Sequence, residues 1–451
     1  MTPPKEGRSL TWVSRVAVDT IAAWAQAAAY ARRSLLPPPP FRPPGENHLL
    51  LLARPFPPLV SGGVYRPLGL VRAAVGRGWH VSVITQSAGS ETSPASRELA
   101  AAVPPSVDVR RFDDSVARPS TNFAPGVDGG FSSIATIVKS AEEVLAKRPV
   151  SVIVASGPTF AEFVAGMLLR QSYGTPLILD YRDEWTESAL GFVSRGRTDR
   201  WWERVCSKAA THLVFVTQTI ADHHREVFDS QVETTSVIPN GWEDYLFQIG
   251  APPVPLSDGS RTVIGFFGVL SEHWDLDEFL VTLSQAIDTR PSLQQGLTFR
   301  FVGRKADRER EALSRFPING LLEDIGHLPH AQAQLMMREC DALLTFNSPR
   351  LARCIGGKCY EYVAAGVPIL LYGRGGEMEA YLSQHSGTRM VGRGDPAALD
   401  QVLRSLVSGE VRAEINDNTD RATSERRSLR SDQYVDLLEK TVNEWATNAA
   451  P

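Results

Sequence analysis

The chain has 451 residues, 43% of them hydrophobic and 22% charged, with a formal net charge of −4. That length exceeds a single hydrophobic core and predicts two domains plus an appendage, and the composition excludes a disordered chain. The slight acidic surplus excludes general nucleic-acid binding, which needs a basic balance, although a local basic face can still meet a membrane surface.

The four cysteines, Cys206, Cys340, Cys354 and Cys359, form no CxxC pair and no zinc spacing with histidine. They read as reduced, packed thiols of a cytoplasmic protein. His223 and His224 are adjacent; on a helix they point about 100° apart, so no shared metal is predicted.

In chain order, residues 10–36 show an alanine-rich helical pattern carrying Trp12, Val16, Ile21, Trp24 and Tyr30. Arg15 and Asp19 interrupt it, and no run reaches the ~18 apolar residues of a membrane span. The basic start and cleavage site of a secretory signal are also lacking. Two readings stand: an accessory helix packed on a domain, or an interfacial anchor using Trp12, Trp24, Arg32 and Arg33. Pro37 to Pro40, with Pro43 and Pro44, form a stiff spacer.

Leu49 to Ala53 is a continuous apolar run, the mark of a parallel strand covered on both faces. A loop with Gly62 and Gly63, a helix over 65–76 and a strand over 81–85 follow. Residues 86–130 are polar and rich in Pro, Ser and Gly, with one strand near 107–112, and suit acceptor-side loops. Helices over 134–147 and 160–170 alternate with strands over 150–155 and 177–180. Asp180-Tyr-Arg-Asp-Glu-Trp185 sits at a strand end, either as a structural Arg–carboxylate cluster or with Asp183 or Arg182 facing a ligand. A helix over 201–210, a strand over 213–216 and a helix over 217–228 lead to Ile238-Pro-Asn-Gly241, whose Asn and Gly suit a tight turn. Residues 250–261, with Pro252, Pro253 and Pro255, are the linker.

The second half repeats the alternation. Strands are predicted over 262–267, 297–302, 342–346, 367–372 and 390–391, with helices between them and a last helix over 432–445. The most informative stretch is Thr345 to Tyr372, TFNSPRLARCIGGKCYEYVAAGVPILLY. It reads as strand, Gly-Gly turn, short helix from Lys358 to Ala365, Gly366 stop and second strand. A strand, a Gly-rich turn and a helix N-terminus make an anion site. Glu361, one turn into that helix, is either a solvated residue or a carboxylate for paired sugar hydroxyls.

The string KCYEYVAAGVPIL resembles the signature of the retaining glycosyltransferase family four, which uses nucleotide sugars and has the GT-B fold. The Gly62-Gly63 loop, the Asn240-Gly241 turn and the Gly268 loop resemble further elements of that family, in the same order. The resemblance implies an α/β chain with two doubly wound Rossmann-like domains facing across a cleft, and an N-terminal helical extension. Residues 1–44 would be helix and Pro-rich linker, 45–249 the acceptor-side domain, and 250–430 the nucleotide-sugar domain. Residues 431–451 would form a helix crossing back to the first domain.

The resemblance further implies a hexosyltransferase-type enzyme acting with retention and without a metal or cofactor. It would move a sugar from a nucleoside-diphosphate donor to a glycolipid, cell-surface polysaccharide or small-molecule glycoside. Glu361 would hold the donor ribose, and Gly62, Gly63, Gly268, Gly356 and Gly357 would approach the diphosphate. The family carries a sugar-contacting Glu where Arg353 stands here, and an Arg and Lys in the Gly268 loop where only His273 is found. Arg353, with Lys358 or Arg304, is therefore expected to supply the missing charge, against the alternative of Arg353 as a solvated loop residue. Asp183 joins Arg353 and Lys358 as the catalytic set. The expected setting is cytoplasmic; under the interfacial-anchor reading residues 10–36 add peripheral contact at the inner membrane face. Other readings are a GT-B protein that binds a nucleotide or partner without transfer, and a nucleotide-sugar epimerase.

Overall fold

The computed structural model describes residues 10–89, 93–113, 126–127, 131–189, 195–229, 235–243, 261–415 and 419–448, with side chains of the first helix described from Ile21 onward, Ala22 excepted. Runs such as His48-Leu-Leu-Leu-Leu-Ala53 bury every residue, because helices cover both faces of a parallel sheet.

The first sheet contains β1 (His48–Ala53), β2 (His80–Gln86), β3 (Asp108–Phe112), β4 (Val152–Gly157), β5 (Leu177–Tyr181), β6 (His212–Phe215) and β7 (Thr235–Val237). Its order is β3-β2-β1-β4-β5-β6-β7, all parallel, with Leu51 opposite Val83 on one side and Val154 on the other. The second sheet contains β8 (Thr262–Phe267), β9 (Leu297–Val302), β10 (Leu322–Ile325), β11 (Ala342–Phe346), β12 (Ile369–Tyr372) and β13 (Thr388–Val391). Its order is β10-β9-β8-β11-β12-β13. Two doubly wound α/β domains, as the alternation predicts, are what the chain forms.

Each sheet has a separate apolar layer on each face. Ile153, Leu179 and Leu213 face Phe163 and Met167 on one side of the first sheet. Leu49, Leu51 and Val154 face Leu70, Val71, Val435 and Leu438 on the other. The last two belong to the terminal helix Arg427–Asn448, which packs on the Tyr65–Gly76 helix of the first domain. Trp445 Nε1 anchors its far end on Gly174 O at 3.1 Å.

Some elements differ from the sequence reading. Pro94–Ala101 is a helix inside the stretch read as loops, opened by Ser93, whose side chain accepts from Ser96 N, with Pro94 in the first turn; Ser followed by Pro is a helix-start pair. Gly376–Leu382 is a further short helix, and the helix read from Trp201 starts at Arg197. Much of the acceptor-side loop stretch (90–92, 114–125 and 128–130) lies outside the described residues, as do nearly all of the linker and the side chains of Trp12 and Val16.

Candidate active site

A doubly wound sheet opens a crevice where its strand order reverses. That point lies between β1 and β4 in the first sheet and between β8 and β11 in the second. The loop after β1 ends in the turn Gly62–Val64, which leads straight into the Tyr65–Gly76 helix. The loop after β11 ends at Gly356, which starts the helix Gly357–Ala365 with no side-chain cap. Cys359 N donates back to Gly356 O at 2.9 Å, so the Gly357 and Lys358 N–H groups are the ones that point out of the helix without a partner from their own turn.

Arg182, just past β5, braces the first crevice. Its Nε donates to Gly157 O at 2.9 Å, Nη1 to Gly63 O at 2.7 Å and Nη2 to Pro158 O at 2.5 Å. The guanidinium is thus spent on tying two loops together. Gly63 permits this closeness, since a Cβ there would lie 2.8 Å from Arg182 Nη1. The next residue, Asp183, has no hydrogen-bond partner among the described residues. Burial pushes its carboxyl up to about 6, with Arg182 pulling down and Glu184 pushing up. Its charge also raises the Cys354 thiol of the second domain, after burial as the main cause.

Glu184 crosses that cleft. Its oxygens accept from Arg353 Nε at 2.7 Å and Nη2 at 3.1 Å, and Nη2 also donates to Glu187 O at 3.2 Å. Thr217 Oγ1 donates to Arg353 O at 2.7 Å, and Thr219 N to Glu377 Oε1 at 3.0 Å. Arg353 is therefore not a solvated loop residue; it is the centre of a contact between the two domains.

Glu361 is the second meeting point. Lys358 Nζ reaches its Oε1 at 2.9 Å and Oε2 at 2.7 Å, and His330 Nε2 lies 3.1 Å from Oε2. Burial alone would raise this carboxyl, but the Lys358 ammonium and the His330 contact outweigh it and hold it at about 2. The His330 ring in turn meets Tyr65 of the first domain, with centroids 5.0 Å apart. Tyr65 directly follows the Gly62–Val64 turn, so the Gly-Gly loop and the Glu361 helix face each other.

The remaining cations divide by geometry. Lys305 Nζ donates to Phe301 O, Gly303 O and Ile325 O at 2.9–3.0 Å and pairs with Asp324 at 2.7 Å. It is a buried strut, with nothing left for a ligand. Arg304 is exposed, and no described residue hydrogen-bonds its guanidinium. It lines a cavity of ≈ 590 Å³ with Gly303, Asp324, Gly326 and His327. Burial, then the charges of Arg304 and Lys358, push the His327 imidazole below its ordinary value. Gly268 lies against Gly303, whose added Cβ would fall 2.0 Å from Gly268 O. His273 sits in the turn Glu272–Trp274 of the same loop. Among the described residues no group of three or more His, Cys, Asp and Glu side chains could hold a metal ion.

The structure thus gathers Gly62, Gly63, Asp183, Arg353, Gly356, Gly357, Lys358 and Glu361 along the cleft, with Gly268 and Arg304 at the end of β8 and β9. Sequence reasoning missed Tyr65, His330 and Glu184. Each acts through a partner in the other domain, a pairing that no local spacing encodes.

Residues 61–241 match the glycosyl transferase 4-like domain family. No curated protein matches by sequence. The fold is similar to sucrose-phosphate synthase from Thermosynechococcus elongatus, with a TM-score of 0.68 and 15% identity over 88% of this chain and 100% of that one. It is also similar to Anabaena HepE in complex with UDP and glucose, with a TM-score of 0.62 and 16% identity over 88% and 100% of the two chains. A trehalose-phosphate synthase (UDP-forming) from Burkholderia vietnamiensis gives 0.64 and 13% over 88% and 100%. At these identities the likeness concerns fold. The chain thus has the GT-B fold of these structures, and its residues 61–241 are similar to the glycosyl transferase 4-like domain family.

Proposed function

We propose that this chain is a retaining glycosyltransferase that moves a sugar from a nucleoside-diphosphate donor to a carbohydrate or lipid-linked hydroxyl, in a cytoplasmic setting. The observation carrying the reading is the Tyr65–His330–Glu361–Lys358 chain of contacts, which sets the Gly-Gly loop of one domain opposite the uncapped helix of the other. A diphosphate between them would meet outward N–H groups and two cations, Lys358 and Arg304, and needs no metal or cofactor for its charge. Uridine diphosphate is the first nucleotide to test, because HepE is known with UDP and UDP-glucose.

In the reaction, the acceptor oxygen bonds to the anomeric carbon on the face from which the phosphate departs, which retains configuration, while the bond from that carbon to the phosphate oxygen breaks. The electron pair stays on the departing diphosphate, where the Lys358 ammonium and the helix N-terminus stabilise it. The acceptor's proton passes to the ionised Asp183, whose carboxylate first orients that hydroxyl by accepting its hydrogen bond. Because Asp183 titrates at about 6, its useful form disappears as pH falls. The rate is expected to drop roughly tenfold per unit below that value. Asp183→Asn should be slow at every pH and lack this acid limb; an unchanged pH–rate profile in the variant removes Asp183 from the mechanism.

Arg353 takes a different part from the one the missing loop cations suggest. With Nε and Nη2 held by Glu184, it closes the cleft. Arg353→Ala should cost the transfer rate about 10-fold, near the lower end for truncating a close interfacial pair, because 31% of its side chain is exposed. Arg353→Glu combined with Glu184→Arg should recover much of that loss. A double variant as slow as Arg353→Glu alone would assign Arg353 to the ligand instead. The same pair favours one second reading, a nucleotide-binding protein whose cleft stays shut without transfer; turnover of a panel of nucleotide sugars separates the two.

A further inference from the structure

The N-terminal helix Leu10–Ser34 has two different apolar faces. One docks on the Ala161–Tyr173 helix: Ala27 is buried, Tyr30 meets Phe131 with centroids 6.0 Å apart, and Gln171 Nε2 reaches Ser34 O at 3.4 Å. At 100° per residue, the opposite face holds Ile21, Trp24, Ala25, Ala28 and Arg32, and runs on to Leu35 in the closing turn. All six are exposed, with Ile21 at 69%, Trp24 at 44% and Leu35 at 83%.

The outward face of a helix packed on a globular domain is ordinarily polar. Among the described side chains it carries a single charge. From Thr20 to Gly45 the chain has no Asp or Glu, but it has Arg32, Arg33 and Arg42. Among the described residues no helix is long and apolar enough to cross a membrane. A helix with an apolar outward face, a tryptophan on it and arginines at its end has the chemistry of one that lies in the headgroup layer. The arginines of this segment, with no acidic residue between Thr20 and Gly45, complement an anionic surface.

We infer that this outward face docks the protein on an anionic phospholipid surface, with the arginines over the headgroups and Ile21, Trp24 and Leu35 entering the acyl boundary. The test is flotation of the full chain with phosphatidylcholine vesicles, with and without phosphatidylglycerol. Wild-type protein should float with the anionic vesicles and stay behind with the neutral ones. Ile21→Asp with Trp24→Asp should abolish flotation. Arg32→Gln should weaken it about 5-fold, the size of one basic residue at a charged surface. All variants should keep the wild-type melting temperature, because the changed positions face outward. Equal flotation of wild type and the double-aspartate variant, or none of wild type with anionic vesicles, overturns the inference. So does a dimer, seen by light scattering, that Trp24→Asp dissociates, since a second copy would then cover the face. The readout does not depend on sugar transfer, so the two proposals fail separately.

Discussion

Arg66→Ala is expected to lower the stability of the first domain by about 3–5 kcal/mol, the range for removing one partner of a buried ion pair. Arg66, on the helix after the Gly-Gly loop, is buried together with Asp180. Its Nε lies 3.1 Å from both Asp180 oxygens and its Nη2 2.8 Å from Oδ1. Nη1 donates to Ile238 O at 2.9 Å and Pro239 O at 3.2 Å, and the guanidinium stands 5.6 Å from the Tyr434 ring centre. One side chain therefore holds the end of β5, the Ile238-Pro239 segment and the returning terminal helix. In the alanine variant Asp180 would keep only Ser156 Oγ at 2.8 Å, and two carbonyls would lose a donor. Urea unfolding measures the loss. Arg66→Met combined with Asp180→Leu should be far more stable than Arg66→Ala, because removing both charges leaves none stranded. A single variant within about 1 kcal/mol of wild type would mean that the network does not hold these elements together.

How much of this was legible in the sequence depends on the range of each interaction. The five apolar residues from Leu49 to Ala53 can hardly be anything but a covered strand, and Gly366 ends its helix in the left-handed conformation at φ 69°, as its place in the pattern predicts. Local period and turn chemistry carried those elements. Lys305 shows the opposite case. Its place beside Arg304 shows only a positive charge, yet the backbone curls three carbonyls around its ammonium. Sequence gives the charge of a side chain but not which way the chain turns beneath it. The Arg353–Glu184 pair spans 169 positions and joins two domains, so neither residue announces the other. Arg182 or Asp183 was an open choice in the sequence; the structure shows Arg182 bracing Gly63 O and the Gly157-Pro158 carbonyls.

On the proposed function, a nucleoside diphosphate lies across this cleft with its ribose on Glu361. Held at about 2, that carboxylate stays ionised at any working pH and only accepts hydrogen bonds. A carboxylate offers about four lone-pair sites. Lys358 and His330 take three contacts here, which leaves capacity for a sugar hydroxyl while fixing the side chain's orientation. Hydrogen bonds to a charged group contribute about 1.5–3 kcal/mol, so Glu361→Ala should weaken nucleotide binding by roughly 10- to 100-fold. Gln in its place should fall between, because it keeps one acceptor oxygen and loses the charge that Lys358 pairs with. The direct measurement is calorimetric titration of UDP into wild-type protein and folded Glu361→Ala. The account predicts saturable binding by the wild type and the stated loss in the variant; equal affinity in the two proteins, or no binding of any nucleoside diphosphate by the wild type, would contradict it.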